Sequence, residues 1–219
     1  MDWTDLPLET NMASEVKELA GRFGAPMAQI APGCDDFLRT VDMRKRPGEV
    51  CMVVRRPNGL LVTSTKSFYP AGTYRLLTGG IQPGEAIHAA LLRETVEETS
   101  LPVAVRRFLG IVRYTAADAP PDSPGHGSLQ HDGLYVFTTY AFLLDDLGGE
   151  LRIADESEHV IGFREVSVDD LPAIADHLAT LGDDPSGRAA VSDELAATWH
   201  AWGVFRAVTH RLVYQALAE

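Results

Sequence analysis

Cysteine is scarce in this 219-residue chain: only Cys34 and Cys51 occur, and they do not form a CxxC pair. That leaves no basis for a disulfide framework or a cysteine-ligated zinc site. Positive charge is also in short supply, with 19 Lys and Arg against 31 Asp and Glu and a net charge of −12. A surface of that sign argues against nucleic acid or an anionic membrane as the main partner. It leaves room for a small phosphorylated ligand, because a bound cation inverts the local charge. No stretch approaches the roughly 20 apolar residues of a membrane span. The opening MDWTDLPLETNMASEVKEL has neither the basic start nor the apolar run of a signal peptide. The cytoplasm is therefore the expected location. Internal repeats and an appended DNA-binding motif are both absent from the sequence.

What is present is a chain 45% hydrophobic, enough for a sizeable core. Its length fits one domain with additions, or two small ones. The stretch LTGGIQPGEAIHAALLRETVEETSL, residues 77–101, organises the rest. A glycine-rich segment enters a helix that ends in Arg93-Glu94-Thr95-Val96-Glu97-Glu98. Like charges three and four residues apart repel by about 0.2–0.5 kcal/mol per pair on an exposed helix. At ~100° per residue, Glu94, Glu97 and Glu98 fall within about 100° of one another. Ile87, Ala90 and Leu91 occupy the same sector one or two turns earlier. An apolar face that turns acidic points its carboxylates at a core, where they must be paired or bind metal. Carboxylate oxygens suit Mg²⁺, Mn²⁺ or Ca²⁺, and Mg²⁺ takes one or two carboxylates together with substrate phosphates. Gly79, Gly80 and Gly84 would let a phosphate approach the backbone ahead of the helix N-terminus.

This stretch resembles the Nudix box of the Nudix hydrolases. The family pattern is Gly, five residues, Glu, seven residues, Arg-Glu, an apolar residue, any residue, Glu-Glu, any residue, Gly, an apolar residue. Gly79, Glu85, Arg93-Glu94, Glu97-Glu98 and Leu101 stand at the matching positions. Thr95 replaces the usual aliphatic residue and Ser100 the usual glycine. A glycine there commonly adopts the left-handed conformation that ends a helix, and a serine held in it costs roughly 1 kcal/mol. The resemblance implies an enzyme that hydrolyses a phosphoanhydride in a nucleoside diphosphate linked to another group, using Mg²⁺, with Mn²⁺ as substitute. The other reading is a nucleotide-binding or regulatory module of the same fold without catalysis. Glu94 and Glu98 are the preferred metal ligands, and Glu97 is either a third ligand or the base. Arg93 is expected to pair with a carboxylate, and Gly79, Gly80 and Glu85 to shape the loop and the phosphate site. Members often take a further acidic residue from the loop before the last strand. Glu156 and Glu158 are the candidates, although the tryptophan that often marks that strand is absent.

The pattern along the chain predicts an α+β fold, which the resemblance narrows to a Nudix-like α/β/α sandwich with a mixed sheet. Residues 1–47 read as a helical extension, with a first helix from Thr10 or Asn11 to Phe23 and a second around 34–43. Arg44 to Gly48 reads as a solvated basic linker. Strands are expected near 49–56, 60–67, 73–77, 103–115, 134–144 and 160–166, with helices at 84–99 and 169–181. Arg55 and Arg56 read as surface charges. Residues 116–132 form a Pro-, Gly- and Asp-rich loop in which His126 and His131 are weak metal-ligand candidates. The Nudix-like domain spans 48–182. A linker and long helix, 183–219, packs on it or forms a homodimer contact. Arg206 lies mid-face on that helix and must find a carboxylate.

Overall fold

Val16 and Leu19 set the inner face of α1 (Thr10–Phe23), and Gly24 ends the helix with a positive φ of 93°. The strand β1 (Met27–Pro32) and the single turn α2 (Asp35–Leu38) come next. The apolar run around Cys51 forms β2 (Gly48–Arg55), and a Pro-Asn-Gly turn leads into β3 (Leu61–Lys66). Then follow β4 (Arg75–Ile81), α3 (Ile87–Thr99), β5 (Val103–Ala116), β6 (Gln130–His131) and β7 (Leu134–Asp146). The chain closes with β8 (Val160–Val166), α4 (Leu171–Ala179) and α5 (Trp199–Ala218). The computed structural model describes residues 1–8, 10–32, 34–38, 46, 48–116, 130–131, 134–153, 156–182 and 199–218. No described helix is long and apolar enough to cross a membrane.

The strands form one mixed sheet in the order β1-β5-β7-β2-β4-β3-β8, with β6 hairpinned onto β7. The pairs β1–β5 and β2–β7 are parallel and the others antiparallel. The central strand β2 is apolar on both faces, as a strand between two helical layers must be. Val50, Met52 and Val54 face α1 and α3. Cys51 and Val53 face the side covered by α4 and α5. This is the expected α/β/α sandwich, with the box helix α3 on one face and the C-terminal helix on the other. Tyr114 and Phe137 pack against Phe205 of α5, so both are core residues.

Three expectations need correction. The segment before residue 48 is not only helical, because β1 adds the sheet's edge strand beside β5. Its MAQIAP sequence, with one β-branched residue and a terminal proline, gives no strand periodicity, and an edge strand tolerates such a proline. The strand β4 does not stop at residue 77 but carries Gly79 and Gly80 within the sheet, opposite Val50 and Glu49. Arg46 is not in a solvated linker: its Nη2 donates to buried Glu49 Oε2 at 3.0 Å. Ser100 takes the left-handed conformation expected of a glycine (φ 58°, ψ 10°), and its N–H caps Val96 O at 2.9 Å. Residues 117–129 of the expected loop, residues 183–198 with the start of the expected C-terminal helix, and residues 39–43 of the second expected helix lie outside the described residues.

A buried polar network fastens α5 to the sheet. Arg206 Nη1 donates to Glu49 Oε1 at 2.6 Å, and Thr139 Oγ1 donates to the same oxygen at 2.9 Å. Burial works to raise the Glu49 pKa, but Arg206 and Arg46 outweigh it and hold the carboxylate below its usual range. His210 is fully enclosed. The Leu76 N–H donates to its Nε2 at 3.0 Å, which assigns the proton to Nδ1, 2.9 Å from Arg206 O. The close approach of α5 to α4 depends on Gly203, where an added Cβ would lie 1.9 Å from the backbone oxygen of Leu178.

Two outcomes follow. Gly203→Ala forces the helices apart and lowers unfolding stability by roughly 1–3 kcal/mol in urea titration. Desolvation pushes His210 down to about 4, so it is neutral in the folded protein and charges first in the unfolded chain. Its contribution is complete above about pH 6.5 and is lost as pH falls towards 4, a change on the order of 3 kcal/mol. The urea midpoint of His210→Gln should therefore vary less than the wild type between pH 6.5 and 4.5, measured by circular dichroism.

Candidate active site

The site forms where β4 hands over to α3. Gly84 turns the chain with φ 78°, and Glu85 accepts from the Gln82 N–H through Oε2 at 2.9 Å. Its carboxylate then meets the Arg93 guanidinium in a two-point pair, Nε to Oε1 and Nη2 to Oε2, both 2.8 Å. Arg93 Nη2 also donates to Gly80 O at 3.0 Å, and Nη1 reaches Glu94 Oε1 at 2.7 Å and Glu97 Oε2 at 2.9 Å. All five N–H donors of the fork are thereby engaged. The side chains of Glu85 and Arg93 come together because Glu85 precedes the helix and folds back along it.

The box carboxylates face inward to different depths. Glu98 is fully buried, Glu94 is 7% exposed, and the Glu97 side chain is 35% exposed. Burial raises the Glu94 pKa to about 7 against the opposing pull of Arg93. Glu94 lies flat over Gly79, where an added Cβ would sit 2.1 Å from its carboxyl carbon. Gly79 therefore makes room for a carboxylate, and Gly80 lies against Arg46 in the same way, its missing Cβ 3.0 Å from Arg46 Nε. Neither glycine belongs to a phosphate-cradling loop, since both are in β4.

Glu158 closes the site from the turn before β8. One oxygen each from Glu94, Glu97 and Glu158 lies within 4.8 Å of the others. Oxygens opposite each other on Mg²⁺ are about 4.1 Å apart, so this spacing suits carboxylates gathered around one ion and its bound water. Hard oxygen donors and a fully buried Glu98 that accepts no hydrogen bond of good geometry fit a divalent cation. Glu156 begins the same turn, and its side chain lies outside the described residues, as do the side chain of His131 and the whole of His126.

The family model for the NUDIX domain matches residues 45–185, more than half of the chain. This chain belongs to the Nudix family. It is a Nudix hydrolase, a pyrophosphatase acting on phosphoanhydrides. An ADP-ribose pyrophosphatase of Methanocaldococcus jannaschii is 29% identical over 132 residues, 60% of this chain and 68% of that protein. The NAD-capped RNA hydrolase NudC of Pseudomonas fluorescens is 30% identical over 94 residues, 41% of this chain but only 33% of its own. The MutT protein of Methanosarcina mazei Go1 has a solved structure that aligns with a TM-score of 0.39 at 17% identity. The alignment covers 57% of this chain and 80% of that one.

One group of this Nudix site escapes sequence reading. Lys66, at the end of β3, places Nζ 3.0 Å from Glu98 Oε1 and 3.1 Å from Glu158 Oε2. Nothing local marks it, because its partners lie 32 and 92 residues along the chain. Arg55 and Arg56 are partly exposed, as expected of surface charges, but are paired, with Asp145 and Asp146 at 2.6 Å each. The role of Gly79 gives a sharp expectation. Gly79→Ala displaces Glu94 and weakens Mn²⁺ binding by roughly tenfold or more, a loss of at least 1.4 kcal/mol. Isothermal titration calorimetry measures this, and an unchanged affinity would refute the spatial role.

Proposed function

We propose that this Nudix hydrolase acts, with Mg²⁺ or Mn²⁺, on a nucleoside diphosphate linked to a second group, with water as nucleophile. The observation that carries this reading is the meeting of Glu94, Glu97 and Glu158 beside buried Glu98. A diphosphate repels nucleophiles through its own charge, and a bound divalent cation supplies the neutralisation and lowers the pKa of a water. Glu94, Glu98 and Glu158 are the residues that hold the ion. Glu97 is the most exposed of the three box glutamates, and Arg93 occupies its Oε2, leaving Oε1 to take the proton of the attacking water. Arg93 and Glu85 fix the start and the acidic end of α3 relative to each other. No Ser, Cys or His nucleophile is needed. Cys51 is fully buried, and desolvation pushes its thiol up to about 12. The relative that acts on ADP-ribose supports a substrate of the nucleoside diphosphate–sugar kind.

The test is a panel of ADP-ribose, sugar nucleotides, dinucleoside polyphosphates, coenzyme conjugates and nucleoside triphosphates, assayed with and without Mg²⁺ or Mn²⁺. The expected result is metal-dependent release of nucleoside monophosphate from a diphosphate-linked substrate. Glu97→Gln and Glu98→Gln should each lower kcat by roughly 100-fold or more. Metal-independent turnover, or full activity in both variants, overturns the reading. Tight nucleotide binding with Mg²⁺ and no product would identify a binding module instead.

A further inference from the structure

The carboxylates of the site are divided between two cations of different character. Arg93 holds Glu85, Glu94 and Glu97 with a planar fork whose donors are all in use. Lys66 holds Glu98 and Glu158, and its side chain is only 11% exposed. Among the described residues it is the one cation ion-paired with Glu98. A buried carboxylate without hydrogen bonds requires a counter-charge, so the ammonium satisfies the need that a metal ion would also satisfy. An ammonium on a four-carbon stem makes a point contact and can rotate away, whereas the arginine fork is fixed by its geometry.

The backbone is shaped to bring this pair together. Thr65 lies opposite Gly162, but Lys66 lies opposite Val160, so Ile161 is an extra residue that bulges from β8. A bulge bends its strand and re-aims the neighbouring side chains. Just before it, His159 has a φ of 57°, unusual for a residue other than glycine, and its carbonyl accepts from the Ser67 N–H at 2.9 Å. Both irregularities adjoin the Lys66–Glu158 contact.

We propose that Lys66 is a resident counter-cation of the site, which competes with the divalent ion for Glu98 and Glu158 and thereby sets metal affinity. It is a positioning residue: it keeps the two carboxylates together until the ion takes its place. This rests on the reading of the cluster as a metal site. Removing the ammonium leaves Glu98 and Glu158 to the metal alone.

The test measures Mn²⁺ binding to the purified full-length protein from the electron paramagnetic resonance signal of free Mn²⁺, without substrate. Lys66→Met should bind Mn²⁺ about tenfold more tightly than wild type, within the range of ordinary coupling between two sites. Lys66→Arg, which keeps the charge, should remain near wild type. Without metal the melting temperature of Lys66→Met falls, and Mn²⁺ raises it by more than it raises the wild type. Should Lys66→Met fold only with Mn²⁺, that also supports competition, and Lys66→Gln then supplies the affinity. Equal or weaker Mn²⁺ binding in Lys66→Met and Lys66→Gln, with normal binding in wild type, overturns the role of Lys66 and leaves the metal site standing. Absence of Mn²⁺ binding in the wild type overturns the metal reading and this proposal with it.

Discussion

The Arg93 guanidinium is the interaction on which the site depends. One planar group joins the turn before α3 through Glu85, the end of β4 through the Gly80 carbonyl, and the acidic face of the helix through Glu94 and Glu97. Hydrogen bonds to charged groups are individually worth about 1.5–3 kcal/mol. Their value here lies mainly in geometry, since a two-point pair to Glu85 fixes direction as well as distance. The arginine also offsets the mutual repulsion of the glutamates without neutralising all of them. Glu98 is left to a different partner, Lys66.

The box was legible in the sequence because its logic is local. Seven residues between Glu85 and Arg93 let the turn fold back onto the helix, and three- and four-residue spacings set the carboxylates on one face. Ser100 was legible in the same way: it keeps the left-handed helix end despite its side chain, so the pattern describes a backbone shape more than a residue. The apolar runs of β2, β5 and β7 marked the strands, and burial on both faces of β2 required helices on both sides.

What the sequence concealed depends on distance along the chain. Gly79 looked like part of a phosphate loop, because composition cannot tell a flexible glycine from one whose missing side chain makes space for Glu94. Lys66 reads as the polar end of an ordinary hairpin strand until β8 and α3 converge on it. Glu158 stood beside Glu156 as an equal candidate, and the turn before β8 is what brings Glu158 to Glu94. The edge strand β1 has almost no intrinsic strand preference and exists because β5 offers a free side to pair with.

The contact between Glu49 and Arg206 has a consequence in time. The two residues are 157 positions apart. A ribosome adding 5–20 residues per second needs roughly 8–30 s to cover that interval. Throughout it, Glu49 has Arg46 but lacks Arg206, and the Nudix box is completed while that second partner is still to come. The face of β2 that α5 covers can therefore close only when α5 arrives. In the nascent chain, the helix farthest in sequence from the box carboxylates completes their scaffold last.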